Sequence, residues 1–495
     1  MALRSTSAGG FLALAMIWTG AAQAQDLLSP APSSATPPTS SAPASSPSLT
    51  PVPVVTPAPA PLPTAPGAAA IPIPADLGPA PPIEPPKIET PKPKRKIVHL
   101  APPRETALSD DPAPTFQPDT FFATAKASEH YSAIADAGGW PHIAAPLKAG
   151  AKGPGVAILR QRLAAEGDLD LTKAAAGNPA SDVWDDDVAA AVKHFQSRMG
   201  LRQTGIVAGA TLTAMNVPAA TRFKQLASSA QRLAGVNFGF GERYVVVNLP
   251  STSVEAIENG RVAHRYVAIV GGIEHQSPEI SAKISVINLN PTWTVPTSII
   301  KKEIIPKMQK DPGYLTRSKI RILDGAGNAI DPKSVNWNTE RAANYILRQD
   351  SGASNSLGAI RIGMPNKLAV YMHDTPSKGL FGADYRFLSH GCVRVQGVYD
   401  LADWLLQGTP DGAADAWDKQ ALLAKVKDGA REDIKLAKIV PVIWVYLTGW
   451  SNGDGLVNFR DDVYGIDTVG DATANAAPAT ANAAPPASPA TAPPQ

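Results

Sequence analysis

Cysteine is nearly absent from this sequence: one thiol, Cys392, in 495 residues. A lone thiol cannot close an intramolecular disulfide, so no disulfide framework holds the fold. A charge excess of one sign is also lacking. The 45 Lys and Arg against 43 Asp and Glu leave a net charge of +2, which argues against a dedicated nucleic-acid binder. Long apolar runs are missing too. Phe11 to Trp18 and Ile439 to Tyr446 both fall short of the ~20 residues that a spanning helix needs. The second run suits a buried strand, with Pro441 expected near its start.

What is present begins with a secretion-like segment, residues 1–24. Arg4 supplies a positive n-region, Phe11 to Trp18 an apolar h-region, and Ala22-Gln23-Ala24 a small-residue cleavage site before Gln25. The expected location is therefore the periplasm, with no transmembrane anchor after cleavage. No cysteine follows the cleavage site, which argues against a lipoprotein anchor. In an oxidising compartment, a single thiol is either incidental or kept for its reactivity.

Residues 25–118 carry 27 of the 49 prolines, mixed with Ala, Ser and Thr. Such a segment cannot bury a core. It reads as a disordered linker, partly polyproline II, able to reach over ~100 Å when extended. Lys92-Pro-Lys-Arg-Lys96 reads as solvated linker charge. The Ala/Pro-rich tail, 468–495, is expected to be disordered as well. The folded part then runs from about Asp119 to Asp467, a length that suits two or three small domains.

Residues 119–145 read as a helical scaffold segment, and 146–220 as a small three-helix module. Val156, Leu159 and Leu163 share one helical face; Trp184, Val188, Val192 and Phe195 share another; Leu212 and Met215 start a third. The order Gly155-Val-x-x-Leu-Arg-Gln-Arg-Leu163, Ala191-Val-Lys-His-Phe-Gln196, Gly200-Leu201 and Thr204-Gly-Ile-Val207 resembles the peptidoglycan-binding module of wall enzymes. The resemblance departs at Thr204, where that family usually has Asp, and at Ser181 to Asp187, where its first Asp-Gly turn is missing. Glycan binding and a purely structural scaffold both remain open. His194 reads as a packing or surface residue.

From 241 to 467 the pattern is mainly β, with no regular strand–helix alternation. Tyr244-Val-Val-Val-Asn-Leu249 is a buried strand, Asn259-Gly260 a hairpin turn, and Val262 to Val270 and Lys283 to Leu289 continue the sheet. Residues 296–356 break it as a lid-like insertion. This insertion contains a helix over Ser298 to Gln309 interrupted by Pro306, a hairpin around Asp324-Gly-Ala-Gly327, and a second helix over Asn338 to Gln349 capped by Asn338 or Thr339. The fold class is thus multidomain α+β: a mainly-β catalytic domain with a helical and hairpin lid, plus the three-helix module.

The chemistry gathers in Ala369-Val-Tyr-Met-His-Asp374 and Phe387-Leu-Ser-His-Gly-Cys-Val-Arg-Val395. Only ~3% of an unperturbed thiol is ionised at pH 7, so a nucleophilic Cys392 needs a nearby base. Three readings meet that pattern. A zinc wall peptidase would use His373, Asp374, His390 and Cys392 as metal-compatible groups, but it lacks a His-Glu-x-x-His spacing. A non-catalytic wall protein would leave Cys392 inert. A cysteine acyltransferase would use Cys392 as nucleophile and His373 as base.

The spacing of His373 and Ser389-His-Gly-Cys392 resembles the YkuD-type L,D-transpeptidase domain. Asn290-Pro-Thr-Trp-Thr-Val-Pro296, the insertion, and Asn458-Phe-Arg-Asp-Asp-Val-Tyr464 resemble its larger Gram-negative branch. The resemblance implies Cys392 as nucleophile and His373 as general base, with His390 in support. The Gly391 and Cys392 N–H groups are expected to form an oxyanion hole. Tyr371, Ser389 and Arg394 are expected to meet the substrate, and Asp374 to point to the other face. The implied partners are peptidoglycan stem peptides and glycan strands. The implied reaction is transfer of a tetrapeptide acyl group to an amine, most commonly as a 3→3 cross-link. No cofactor or metal is expected, and oligomeric state is not legible.

Overall fold

The computed structural model of the chain describes residues 104–170, 181–410, 417–453 and 455–469, all within one compact unit. The expected signal segment and most of the expected linker and tail lie outside these residues. Among the described residues no helix is long and apolar enough to cross a membrane.

Five helices come first: α1 (Thr120–Asp136), α2 (Pro154–Ala165), α3 (Asp186–Arg198), α4 (Gly209–Met215) and α5 (Ala219–Leu233). Asp185 caps α3, its carboxylate accepting from the Val188 N–H at 2.9 Å. The expected apolar faces converge: Val156, Leu159, Leu163, Val188, Val192, Phe195 and Met215 are fully buried in one core. That core also takes in Tyr131 from α1 and Phe459 from near the end of the folded part, so the module is packed against its surroundings. His194 lies on the surface, its Nδ1 2.7 Å from Asp168 Oδ1. Gln196 Nε2 donates to Thr204 Oγ1 at 3.0 Å, so Thr204 braces a turn inside the module.

The sheet strands follow: β1 (Arg243–Asn248), β2 (Ser253–Glu258), β3 (Arg261–Gly271), β4 (Ile280–Leu289), then, in the lid, β5 (Trp293–Thr294), β6 (Ile320–Leu323), β7 (Ala329–Ile330) and β8 (Ile346–Gln349). The main sheet resumes with β9 (Ile360–Gly363), β10 (Met372–His373), β11 (Phe387–Ser389), β12 (Val393–Val395) and β13 (Glu432–Val445). Among the described residues nine strands form one sheet in the order β11-β3-β12-β10-β9-β4-β13-β1-β2, and a β2–β3 pairing closes it on itself. Both faces are buried. Val245 and Val247 enter one core and Tyr244 and Val246 another, which is why the run reads as continuous rather than alternating apolar. Asn259 and Gly260, at φ 52° and 74°, make the expected hairpin turn between β2 and β3.

Several expectations need correction. Residues 104–118 are not linker. Phe116 is buried with Phe238, Tyr244 and Trp450, and Thr115 donates from both N and Oγ1 to the Glu255 carboxylate at 2.8 Å. Arg265 in turn donates to Glu255 Oε1 and to the Ser109 carbonyl. Prolines do not prevent an extended arm from packing when its single aromatic side chain has a core to enter. Pro441 also sits in the middle of β13 rather than near its start. The ladder with β4 shifts register between Lys435 and Val440, and Pro441 follows directly, opposite Lys283. Pairing with β1 begins only at Val442, so on that side proline still sits at an unpaired edge.

The lid begins at Trp293, ahead of the expected residue 296. It is a separate layer with its own core, built on Val295, Ile304, Leu315, Ile322 and Leu347 among others, and a four-stranded sheet ordered β5-β8-β6-β7. Asp324-Gly-Ala-Gly327 forms the expected hairpin between β6 and β7. The expected helix over 338–349 is not there. Residues Glu340–Asn344 make a short 3₁₀ turn, and β8 pairs with both β5 and β6. Pairing with distant strands outweighs the local helical pattern. Pro306 does not interrupt its helix either. α6 (Thr297–Ile299) and α7 (Ile305–Lys310) are joined by a π segment, Ile300–Ile304. The wider turn relieves the clash that a proline ring makes with the carbonyl four residues before it.

Candidate active site

β10 lies between β9 and β12, with Met372 opposite Val393 and His373 opposite Arg394. This register sends Met372 and Val393 into the core at 0% exposure. By alternation, Tyr371, His373, Cys392 and Arg394 share the other face. These four, with Ser389 and His390, line one cavity of about 240 Å³. Asp374 is excluded, as alternation requires. Its Oδ2 accepts from the Ala359 N–H at 3.1 Å and its Oδ1 pairs with Lys378.

His373 is almost fully buried, and its Nδ1 lies 2.5 Å from the backbone carbonyl of Asp374. A carbonyl only accepts, so Nδ1 carries the proton and Nε2 keeps its lone pair. Burial, and then the Arg394 charge, lower its pKa to about 4, against the opposing pull of Asp374. At neutral pH the ring is an uncharged base. Asp374 thus orients the imidazole through its backbone, not its carboxylate.

Cys392 is a free, half-buried thiol. Burial pushes its pKa up, while hydrogen bonds from the Tyr371 backbone and hydroxyl and the charges of Arg361 and Arg394 oppose the rise. The resting pair is therefore thiol and neutral imidazole. The Tyr371 ring carries the Arg361 guanidinium at 4.5 Å from its centroid, and its hydroxyl interacts with Trp293 of the lid. Arg394 faces the cavity, and its Nε has no hydrogen-bond partner among the described residues.

Two expected contacts take a different form. Ser389 Oγ donates to the Cys392 carbonyl at 2.5 Å and accepts from the Gly391 N–H at 3.2 Å. Its hydroxyl is engaged within the turn rather than free for substrate. The same bond occupies the Gly391 N–H, which removes it from the expected oxyanion hole. Gly391 is needed for another reason, since its φ of 105° is closed to most side chains. Its carbonyl accepts from Ser277 Oγ at 2.8 Å, and Tyr464 donates to the neighbouring Gly271 carbonyl at 2.7 Å. These bonds link the cysteine turn to the segment around 458–464.

His390 is held from the lid side of the cavity. Its Nε2 lies 2.6 Å from Glu303 Oε1 of the lid, and its ring stacks on His275 with centroids 4.7 Å apart. Burial lowers its pKa while Glu303 pulls the other way. Sequence reasoning missed Arg361, Trp293, Glu303, His275, Ser277 and Tyr464. Trp293, Glu303 and Tyr464 stood in segments already singled out, but with no role assigned to them. Among the described residues no group of three or more His, Cys, Asp or Glu side chains could hold a metal ion.

Comparison with known proteins agrees with this geometry. Residues 242–411 match the family model "L,D-transpeptidase catalytic domain" and residues 152–215 match "Putative peptidoglycan binding domain". A Haemophilus influenzae protein described as "Putative L,D-transpeptidase" is 35% identical over 246 residues, covering 49% of this chain and 48% of its own length. The chain therefore spans about half of that relative. Solved structures that resemble it include an L,D-transpeptidase from Xylanimonas cellulosilytica, with 17% identity, 61% of this chain, 98% of that one and a TM-score of 0.19. Another is L,D-transpeptidase 1 of Mycobacterium tuberculosis, with 12% identity, 41% of this chain, 61% of that one and a TM-score of 0.16. Superpositions this loose carry no argument. Residues 242–411 thus carry the likeness to an L,D-transpeptidase catalytic domain, and residues 152–215, earlier in the same chain, the likeness to a putative peptidoglycan-binding domain.

Proposed function

We propose that the protein is a cysteine-dependent peptidoglycan L,D-transpeptidase that works outside the cytoplasm, in the periplasm, after removal of residues 1–24. The observation that supports this most is the shared face of Cys392 and His373, with His373 held as a neutral base by the Asp374 carbonyl. His373 Nε2 takes the thiol proton as Cys392 Sγ attacks the carbonyl of the third stem residue of a tetrapeptide. The C–N bond to the terminal D-Ala breaks, and the imidazolium returns its proton to the departing amine. A thioester remains on Cys392. The Cys392 N–H is the oxyanion donor in this scheme, since the Gly391 N–H is engaged by Ser389. Arg394, a guanidinium lining the cavity beside Cys392, suits a substrate carboxylate.

An acceptor amine then takes the acyl group. The side-chain amine of a second stem gives a 3→3 cross-link. The amine of the first-position L-alanine gives a 1→3 link, a lipoprotein lysine gives protein attachment, and water gives carboxypeptidase activity. We favour the 3→3 product. A carbapenem, as an electrophilic acyl donor, tests the nucleophile. Stoichiometric mass addition to the wild type, lost in Cys392→Ala, supports the reading. Addition that survives the substitution refutes it.

A further inference from the structure

The cavity beside Cys392 is lined by two permanent cations, Lys307 and Arg394, and by the imidazoles of His373 and His390, and Glu303 is its single acidic lining residue. Glu303 comes from the lid, not from the sheet that carries the nucleophile. It lies in the π segment Ile300–Ile304, a local widening that often marks functional sites. The same segment sends Ile300 and Ile304 into the lid core while its carboxylate reaches the cysteine turn. Each oxygen of that carboxylate already faces a nitrogen: Oε1 the His390 Nε2 at 2.6 Å, and Oε2 the Lys307 Nζ at 2.8 Å. Lys307 is a half-exposed i,i+4 partner, and solvent screens such surface pairs so that they hold weakly. An incoming cation can therefore displace it cheaply. Burial works to raise the Glu303 pKa, but Lys307 and His390 together hold it below the usual carboxylate range, so it is charged at neutral pH.

We infer that Glu303 is the acceptor-side specificity residue of the transpeptidase reaction, binding the ammonium group of the incoming stem peptide beside the Cys392 thioester. This inference rests on the proposed function, because only a transferase of this kind needs a second substrate that arrives as a cation. The division of the cavity follows from charge. Arg394 suits the carboxylate of one substrate and Glu303 the ammonium of the other, and the two come from different layers of the protein. The step balances as follows. The acceptor ammonium loses one proton to the Glu303–His390 pair, and its nitrogen attacks the thioester carbonyl. The new C–N bond forms as the C–S bond breaks. The second nitrogen proton passes through His373 to the Cys392 sulfur, leaving an amide and a free thiol. The proton on the pair returns to solvent. Lid contact and acceptor recognition are then one feature. An enzyme whose lid is displaced acylates but hydrolyses its intermediate.

The test uses the full chain and Glu303→Gln, each acylated with disaccharide-tetrapeptide as donor. Two acceptors are compared: the same muropeptide, whose amine is charged at neutral pH, and hydroxylamine, which is not. The ratio of cross-linked dimer to hydrolysed tripeptide should fall about tenfold or more in Glu303→Gln, the weight of one charge-assisted bond. The hydroxamate yield should change far less. Glu303→Asp, which keeps the charge, should recover part of the dimer. Equal losses with both acceptors, or no loss with either, would overturn the inference while leaving acyl transfer by Cys392 intact. Absence of acyl-enzyme in the wild type would overturn the proposed function itself, and this inference with it.

Discussion

His373 and Asp374 are neighbours in the chain that face opposite ways, yet the carbonyl of Asp374 fixes the imidazole of His373 at 2.5 Å. The bond sets the tautomer, and burial sets the charge. Together they leave a neutral base whose free nitrogen is Nε2. Replacing His373 by Ala should cut acylation about 10²–10⁴-fold without unfolding the protein. Carbapenem acylation followed by mass spectrometry, with circular dichroism as the folding control, checks both parts.

The same residue sets a pH dependence. Its folded pKa of about 4 lies below the ordinary 6.5. Between these values the unfolded chain binds the extra proton, so stability rises with pH across that window. The contribution is complete above about pH 6.5 and is lost as pH falls toward 4, amounting to about 3 kcal/mol. Denaturant unfolding at both ends of the window should show a smaller acid loss in His373→Gln than in the wild type. An equal loss would mean that His373 is not held neutral. The acid limb of the acylation rate should likewise lie near pH 4, not near 6.5.

The arm before α1 gives a third prediction. Removal of residues 1–103 should leave activity on soluble muropeptides intact. Removal through residue 118 takes Phe116 out of its core and leaves the Glu255 carboxylate without Thr115. Loss of a buried Phe alone costs about 3–5 kcal/mol, so a marked drop in melting temperature is expected. Matching melting curves for the two truncations would show that the arm is not part of the folded unit. The arm also reaches the loop between His373 and Cys392. Arg104 donates to the Phe381 carbonyl, and Thr106 donates to Asp384. The longer truncation should therefore slow acylation as well.

Ser389 tests the cysteine turn. Ser389→Ala removes the donor to the Cys392 carbonyl and the acceptor of the Gly391 N–H, leaving buried groups unpaired at about 1–3 kcal/mol. Acylation should fall about 10–100-fold, and Ser389→Thr should recover much of it. A normal rate in the Ala variant would mean that the turn holds its shape by other contacts.

The parts of this protein that were legible in its sequence are those where one local signal decides the outcome. The run from Tyr244 to Leu249, the Asn259-Gly260 turn and the helical faces around Leu159 and Phe195 needed no distant partner to be read. The expectation that His373 and the Cys392 turn share a site came from the family resemblance that the motif carries, and both line one cavity. What escaped depends on contacts far apart in sequence. β8 is a four-residue strand that exists because β5 and β6 flank it. Phe116 is the single aromatic residue between Trp18 and Phe121, a signal hidden by the prolines around it. Glu303 is one of several charged residues on the outer side of an amphipathic helix, and no local signal marks it as the one that meets His390. The roles of Ser389 and Gly391 shifted because a motif specifies residue types, not which of their hydrogen bonds are already made.

The most direct test of Cys392-dependent acyl transfer is to incubate the full chain with disaccharide-tetrapeptide muropeptides, beside Cys392→Ala, and to fragment the products by tandem mass spectrometry. The account predicts a dimer formed with loss of D-Ala, absent from the Cys392→Ala reaction, with fragment ions linking the third residue of one stem to the third residue of the other. A dimer that persists in Cys392→Ala, or an untouched substrate with wild-type protein that a carbapenem does not acylate, would contradict it.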